Sequence, residues 1–195
     1  MLVVSKLGLE RYFQPVFHPV DFALAEGELL IVTGANGSGK TTLLRLLAGI
    51  IQPGSGSIDN TAGQVAYLGH ALALKEDLSS LENLRFVRDF HGAAEVSVTQ
   101  AIESVGLARV ALQPARTLSA GQRKRCALGR LLLQQARLWL LDEPYSNLDQ
   151  EGAKLVDQLL LQHTGRGGAA VVATHGDHRP GVVHQELAMI AGHMA

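Results

Sequence analysis

The alternation of apolar and polar positions along the chain changes its period several times. The segments LVVSKLG (2–8) and VDFALAEGE (20–28) alternate loosely and predict strands. ELLIVTG (28–34) is a continuous apolar run that stops at Gly34, the pattern of a strand buried on both faces. KTTLLRLLAGI (40–50) has helical spacing, with Gly49 near its end and a turn predicted over Pro53 to Gly56. SID (57–59) and QVAYLG (64–69) predict further strands. From about Glu76 the period becomes helical, in SSLENLRFVRDF (79–90) and VSVTQAIESVGLARV (96–110), and Ser79 with Glu82 forms a capping box for the first of them. Helix AGQRKRCALGRLLLQQA (120–136), strand LWLLDEP (138–144), helix EGAKLVDQLLLQH (151–163), strand AAVVATH (169–175) and a weak last strand ELAMIAG (186–192) follow. Strands alternating with helices predict an α/β fold with a parallel sheet. A small helical insertion falls over roughly 76–135 of a single domain, 1–195.

Composition narrows this only slightly. A chain of 195 residues, 47% hydrophobic and 18% charged, suits one compact domain. The formal net charge of −1 gives no electrostatic reason to expect a nucleic-acid partner. The single cysteine, Cys126, excludes an internal disulfide. The apolar start MLVV is too short for a signal peptide, and no segment reaches the ~18 consecutive apolar residues that span a bilayer.

The first segment with chemistry is GANGSGKTT: Gly34, Ala35, Asn36, Gly37, Ser38, Gly39, Lys40, Thr41 and Thr42. It matches G-x-x-x-x-G-K-[ST] between an apolar strand and a helix. Glycines let backbone N–H groups curl inward around phosphate oxygens, and the helix N-terminus adds positive potential. Lys40 reaches the terminal phosphates and the Thr41 hydroxyl is a Mg²⁺ ligand, so the loop predicts nucleoside triphosphate binding. A second segment, LWLLDEP, ends an apolar run in two carboxylates. Such a pair at a buried strand end requires a compensating charge, and Mg²⁺ bound to the phosphates supplies it. Asp142 then faces the metal, while Glu143 either deprotonates the attacking water or only places it.

LSAGQRKR (118–125) decides the family. Ser119 and Gln122 are spaced as a capping box, so a helix begins there with its positive end exposed. With this segment placed between the glycine loop and LLDEP, the chain resembles the nucleotide-binding subunits of ABC transporters, whose signature is LSGGQ-like; Ala120 replaces the first glycine. The resemblance runs from Val20 to about Asp177. It implies a P-loop NTPase (RecA-like) core with an N-terminal antiparallel β subdomain, ATP as substrate with Mg²⁺, and a homodimer formed on ATP binding. In that dimer Ser119, Ala120, Gly121 and Gln122 of one copy cap the γ-phosphate held by the other. The same resemblance puts Asp149 of SNLDQ at the dimer interface and makes His175 the γ-phosphate contact. It also implies an adenine-stacking aromatic near the start, for which Tyr12 is the candidate and Phe13 the runner-up.

Where most members carry a glutamine after the next strand, VAYLG delivers His70. Gly69, His70, Lys75, Leu78 and LENL (81–84) resemble the branch of ATP-binding subunits serving cytochrome c biogenesis, the haem exporter type. That branch implies an integral-membrane transporter subunit of the cytochrome c biogenesis system as partner, received in a groove near Gly69 to Leu84. It also implies peripheral location at the cytoplasmic face of the bacterial inner membrane. An imidazole can ligate Mg²⁺ or accept a bond from water and titrates near neutral pH, which predicts acid-sensitive turnover. The alternative is that His70 only shapes the coupling loop. His163, His178, His184 and His193 are scattered, and no C-x-x-C-H haem attachment site is present. Rival readings are the ATPase of another small exporter, or a soluble ABC-type ATPase acting without a transporter. The latter typically carries a long coiled-coil insertion or two fused cassettes, and neither is present. A P-loop kinase or GTPase leaves LSAGQ unexplained, and the sequence has no N-K-x-D.

Overall fold

The structure, a computed structural model, describes residues 1–92, 95–175, 180–181 and 185–192. Its centre is a parallel sheet of five strands: β5 (Leu29–Thr33), β7 (Val65–Leu68), β8 (Leu138–Asp142), β9 (Ala169–Ala173) and β10 (Gln185–Ala188), in the order β10-β5-β9-β8-β7. Beside it lies an antiparallel sheet of β1 (Leu2–Gly8), β4 (Val20–Leu24) and β6 (Ser55–Asn60), in the order β4-β1-β6. A short hairpin, β2 (Glu10–Arg11) with β3 (Gln14–Pro15), projects between β1 and β4 in sequence.

The inner strands β5, β8 and β9 are apolar almost to their ends because both of their faces are covered, whereas the edge strand β10 is largely exposed. Leu29 and Ile31, Trp139 and Leu141, Ala170 and Val172 turn to one core. It is closed by helices α2 (Ser80–His91), α3 (Val98–Ser104), α4 (Ala120–Leu132) and α5 (Gln150–Gly165). Leu30 and Val32, Leu138 and Leu140, Ala169 and Val171 turn to a second core with helix α1 (Lys40–Leu47) and β1. The period of two thus sorts one strand into two layers. Three of the helices, α2 to α4, fall within 76–135.

Several boundaries differ from the sequence expectation. Strand β6 already begins at Ser55, so the predicted turn over Pro53 to Gly56 is half strand; Gly56, at φ 77°, lies where a Cβ would strike the Ser5 and Lys6 carbonyls. The predicted helix 96–110 stops at Ser104, since Gly106 takes a left-handed φ of 68° and the chain continues as a 3₁₀ turn over Ala108–Val110. The predicted helix 120–136 stops at Leu132, before Gln134 and Gln135. The last strand is Gln185–Ala188 rather than 186–192.

Candidate functional site

The carboxyl ends of four parallel strands deliver the motif residues to one edge of the sheet. β5 leads into the glycine loop, β7 into His70, β8 into Asp142 and Glu143, and β9 into His175. This is the edge at which open α/β sheets bind ligands. A cavity of about 370 Å³ opens there, lined by Val16, Asn36, Gly37, Gly39, Lys40, Thr41, Thr42, His70, Glu143 and His175.

The loop folds as its glycines require. Gly34 (φ 142°) has no room for a side chain, because a Cβ would lie 2.6 Å from both Ser38 Oγ and the Met189 carbonyl. Gly39 (φ 94°) packs against Phe17 and starts α1 without any side-chain cap. An uncapped start leaves the first N–H groups of the helix available to a ligand. Lys40 Nζ donates to the Gly34 carbonyl at 2.7 Å and the Ala35 carbonyl at 3.1 Å, which holds the ammonium over the loop. Thr41 Oγ1 donates to Asp142 Oδ2 at 2.8 Å. Asp142 is 2% exposed. A buried carboxylate beside a hydroxyl is an all-oxygen donor pair, which fits a hard cation such as Mg²⁺.

Glu143 extends the β8–β9 ladder, its N–H donating to the Ala173 carbonyl at 2.9 Å, and then turns sharply at a left-handed φ of 51°. Non-glycine residues adopt that region at a cost and only where their surroundings hold them. The Glu143 carbonyl accepts from Lys124 Nζ at 2.8 Å and from Ser146 Oγ at 2.9 Å. Its carboxylate lies 2.8 Å from His175 Nδ1, which donates when it carries the proton. Sequence reasoning passed over Lys124. It is 3% exposed; burial pushes its ammonium below the usual lysine range, while Asp142 and Glu143 push it back up. The only sequence signal is its place in the RKR of LSAGQRKR.

The signature segment sits elsewhere. Ser119 caps α4 by the expected box: its Oγ accepts from Gln122 N at 3.1 Å and its N–H donates to Gln122 Oε1 at 2.9 Å. The N–H groups of Ala120 and Gly121 precede the first internal bond of the helix, Arg123 N–H to the Ser119 carbonyl. None of residues 119–122 lines the glycine-loop cavity. Asp149 caps α5 through the Gly152 N–H at 2.8 Å and accepts from Arg125 at 3.0 Å, so it is committed within its own chain as well. Tyr12 and Phe13 form the tip of the β2–β3 hairpin, 96% and 99% exposed and both with positive φ. His70 is exposed at the cavity wall. The loop after it is fixed by Arg130, which donates to the Leu72 carbonyl at 2.7 Å, and by buried Asn83, which bonds both the N–H and the carbonyl of Lys75. Of the scattered histidines, His178, His184 and His193 lie outside the described residues.

A second cavity, about 300 Å³, opens at the opposite end of the sheet between Leu131, Arg137, Trp139, His163 and Arg166. It receives none of the motif residues.

Comparison with known proteins agrees with this geometry. Residues 17–146 match the family described as ABC transporter. The cytochrome c biogenesis ATP-binding export protein CcmA of Xanthomonas campestris pv. campestris (strain 8004) is 50% identical over 186 residues, covering 90% of this chain and 87% of that protein. Its counterpart of the same description in Mesorhizobium japonicum is 43% identical over 183 residues, covering 89% and 91%. Among solved structures, a dimeric ATP-binding cassette in a post-hydrolysis state with ADP and Pi superposes with a TM-score of 0.80 at 22% identity, over 90% of this chain and 88% of that one. An inward-facing ABC transporter of metal-chelate type gives a TM-score of 0.81 at 28% identity, over 98% and 80%.

Proposed function

The chain belongs to the ABC transporter family, within its cytochrome c biogenesis export branch, and is an ABC-type ATPase; from that premise we propose that two copies of it sandwich two ATP molecules and drive a membrane partner. One observation carries this reading. The cavity lined by Lys40, Thr41, Glu143 and His175 includes no residue of 119–122, while the Ser119 tip of α4 keeps a hydroxyl proton and the Ala120 and Gly121 N–H groups for an acceptor outside its own helix.

In the proposed cycle Lys40 and the N–H groups of the glycine loop hold the phosphates. Thr41 and Asp142 hold Mg²⁺, which when bound offsets the charge of the phosphate oxygens. Glu143 accepts a proton from water or fixes its orientation for attack on the γ-phosphorus, and the bond to the bridging oxygen breaks to give ADP and phosphate. His175 donates to the departing phosphoryl oxygens, and its bond to Glu143 keeps both groups turned into the cavity. Ser119 and Gly121 of the second copy close the site. Preference of the closed pair for ATP over ADP is what performs work on the partner. His70, exposed in the same cavity, is placed to reach water or the metal, and His70→Gln with an unchanged pH–rate profile would remove that role. The loop from Gly69 to Leu84, held by Asn83 and Arg130, is the proposed seat of the integral-membrane subunit of the cytochrome c biogenesis system. Among the described residues no helix is long and apolar enough to cross a membrane, so attachment at the cytoplasmic face of the inner membrane falls to that subunit.

Mixing two inactive variants tests the sandwich. Lys40→Met and Ser119→Arg chains each lack half of a composite site, yet a mixed pair contains one intact site. Equimolar mixing should raise ATP turnover from near zero to about a quarter of wild type, half the pairs being mixed and each having one of two sites intact. Full activity of either variant alone, or no recovery on mixing, counts against a shared site. Glu143→Gln should trap the ATP-bound pair, visible as a dimer by size-exclusion chromatography.

A further inference from the structure

We propose that Lys124 is a positioning residue for hydrolysis: it holds the backbone of Glu143 in the left-handed turn that aims the carboxylate, and so ties the water site of each chain to its own signature helix. The inference rests on the role of Glu143 given above and adds the part that keeps it in place.

Gly121, Lys124 and Arg125 are spaced i, i+3 and i+4 on α4, hence on one face. That face bears on the loop from Glu143 to Asp149 at three points. Lys124 Nζ donates to the Glu143 carbonyl at 2.8 Å. Arg125 donates to Asp149 Oδ1 at 3.0 Å. A Cβ on Gly121 would lie 3.0 Å from the Asn147 carbonyl, so helix and loop are in contact between the two bonds. Inside this clamp Glu143 and Asn147 both carry positive φ, 51° and 62°. Asparagine takes that region readily, but Glu143 stays there only under outside restraint, and its carbonyl has two side-chain donors, Lys124 and Ser146.

Lysine is a costly choice for this task. At 3% exposure an ammonium loses its hydration, and an apolar side chain of similar length would fill the space at less cost. What the ammonium adds is a charge-assisted bond to one carbonyl, next to the two carboxylates of the strand end. The clamp has a mechanical result. The tip of α4 that serves the second copy's triphosphate cannot shift without pulling on the Glu143 turn that serves the chain's own. Docking of one copy is thereby felt at both sites.

Steady-state kinetics on Lys124→Met and Ser146→Ala, in wild-type and Glu143→Gln backgrounds, test this. Lys124→Met should lower kcat at least ~10-fold with KM for MgATP within about twofold, because phosphate binding by the glycine loop is untouched. Ser146→Ala, which removes the weaker of the two side-chain posts at a half-buried position, should lower kcat about threefold, again at constant KM. In the Glu143→Gln background neither change should lower the residual rate further, since both act through that side chain. If Lys124→Met does not fold, as judged by thermal unfolding, Ser146→Ala and its pairing with Glu143→Gln decide the matter. Wild-type kcat in Ser146→Ala, or additive losses in the Glu143→Gln background, overturns the proposal while leaving the Glu143 assignment intact. A fully active Glu143→Gln overturns both.

Discussion

The two ends of the central sheet each carry a cavity of similar size, about 370 Å³ and about 300 Å³, and each holds a histidine near an apolar strand. At the carboxyl end His175 is 56% exposed in its side chain and faces a carboxylate. At the amino end His163 lies flat on Trp139, ring centroids 3.9 Å apart and planes within 10°, and burial pushes its pKa down to about 4. The first end gathers uncapped N–H groups, an ammonium and oxygen donors, and stores backbone strain at Glu143. The second mixes leucines with glutamines and the arginines Arg137 and Arg166, receives no glycine loop, and its histidine is neutral filling. Volume therefore does not separate the motif site from an ordinary surface cleft. Strand polarity does, because β-to-helix turns at the carboxyl end aim free N–H groups at the opening.

The comparison breaks first at Lys40. On the proposed reading Lys40→Met removes the ammonium over the glycine loop, and MgATP affinity by titration calorimetry should fall at least ~100-fold, about 3 kcal/mol. Binding within a few-fold of wild type would mean that the carboxyl-end cavity is not the triphosphate site.

Next in size is the hairpin tip. Tyr12 and Phe13 both occupy left-handed turn positions that suit glycine, and both rings are almost fully in water. Aromatic residues placed at such cost need an external use. On the proposed reading that use is stacking of adenine on Tyr12, worth ~1–2 kcal/mol, so Tyr12→Gly should weaken MgATP roughly 10-fold while relieving strain in the turn. Phe13→Gly should relieve the same strain and leave affinity unchanged. The reverse pattern would assign the stacking to Phe13.

How much of this was legible in the sequence varied with the range of the interaction. Local chemistry read well: the glycine loop, and the boxes Ser79–Glu82 and Ser119–Gln122, bond as their spacing demands. The box Ser97–Gln100 has the same spacing, but the apolar period carries the predicted helix back to Val96, one residue before the actual cap. Helix ends read poorly, since the stops at Ser104 and Leu132 are set by the Gly106 turn and by tertiary packing rather than by periodicity. The antiparallel β subdomain came from the family resemblance, not from the pattern of β1, β4 and β6. Contacts across the fold were invisible. Nothing in RKR says that the middle cation is the buried one, or that it meets a carbonyl 19 residues on. The same holds for His163, whose helical position gives no hint of the Trp139 ring under it.

The smallest effect on activity belongs to that histidine, and it sharpens the contrast most. His163 contributes Nε2 to the Ala169 carbonyl at 3.2 Å, a bond the neutral ring makes with its proton on that nitrogen. Its folded pKa of about 4 lies below the unfolded value of about 6.5, so the unfolded chain binds the extra proton between those limits. The resulting stability is complete above about pH 6.5 and is lost as pH falls towards 4, by roughly 2–3 kcal/mol at most. His163→Phe keeps a ring on Trp139 but cannot be protonated. At pH 7 it should lose only the single hydrogen bond, about 1 kcal/mol, with ATP turnover unchanged. Between pH 6.5 and 4.5 its thermal midpoint should fall less steeply than that of wild type. Parallel midpoint curves for the two proteins would show that the ring is already hydrated in the folded chain. A loss of turnover at pH 7 would make the amino-end cavity part of the machine after all.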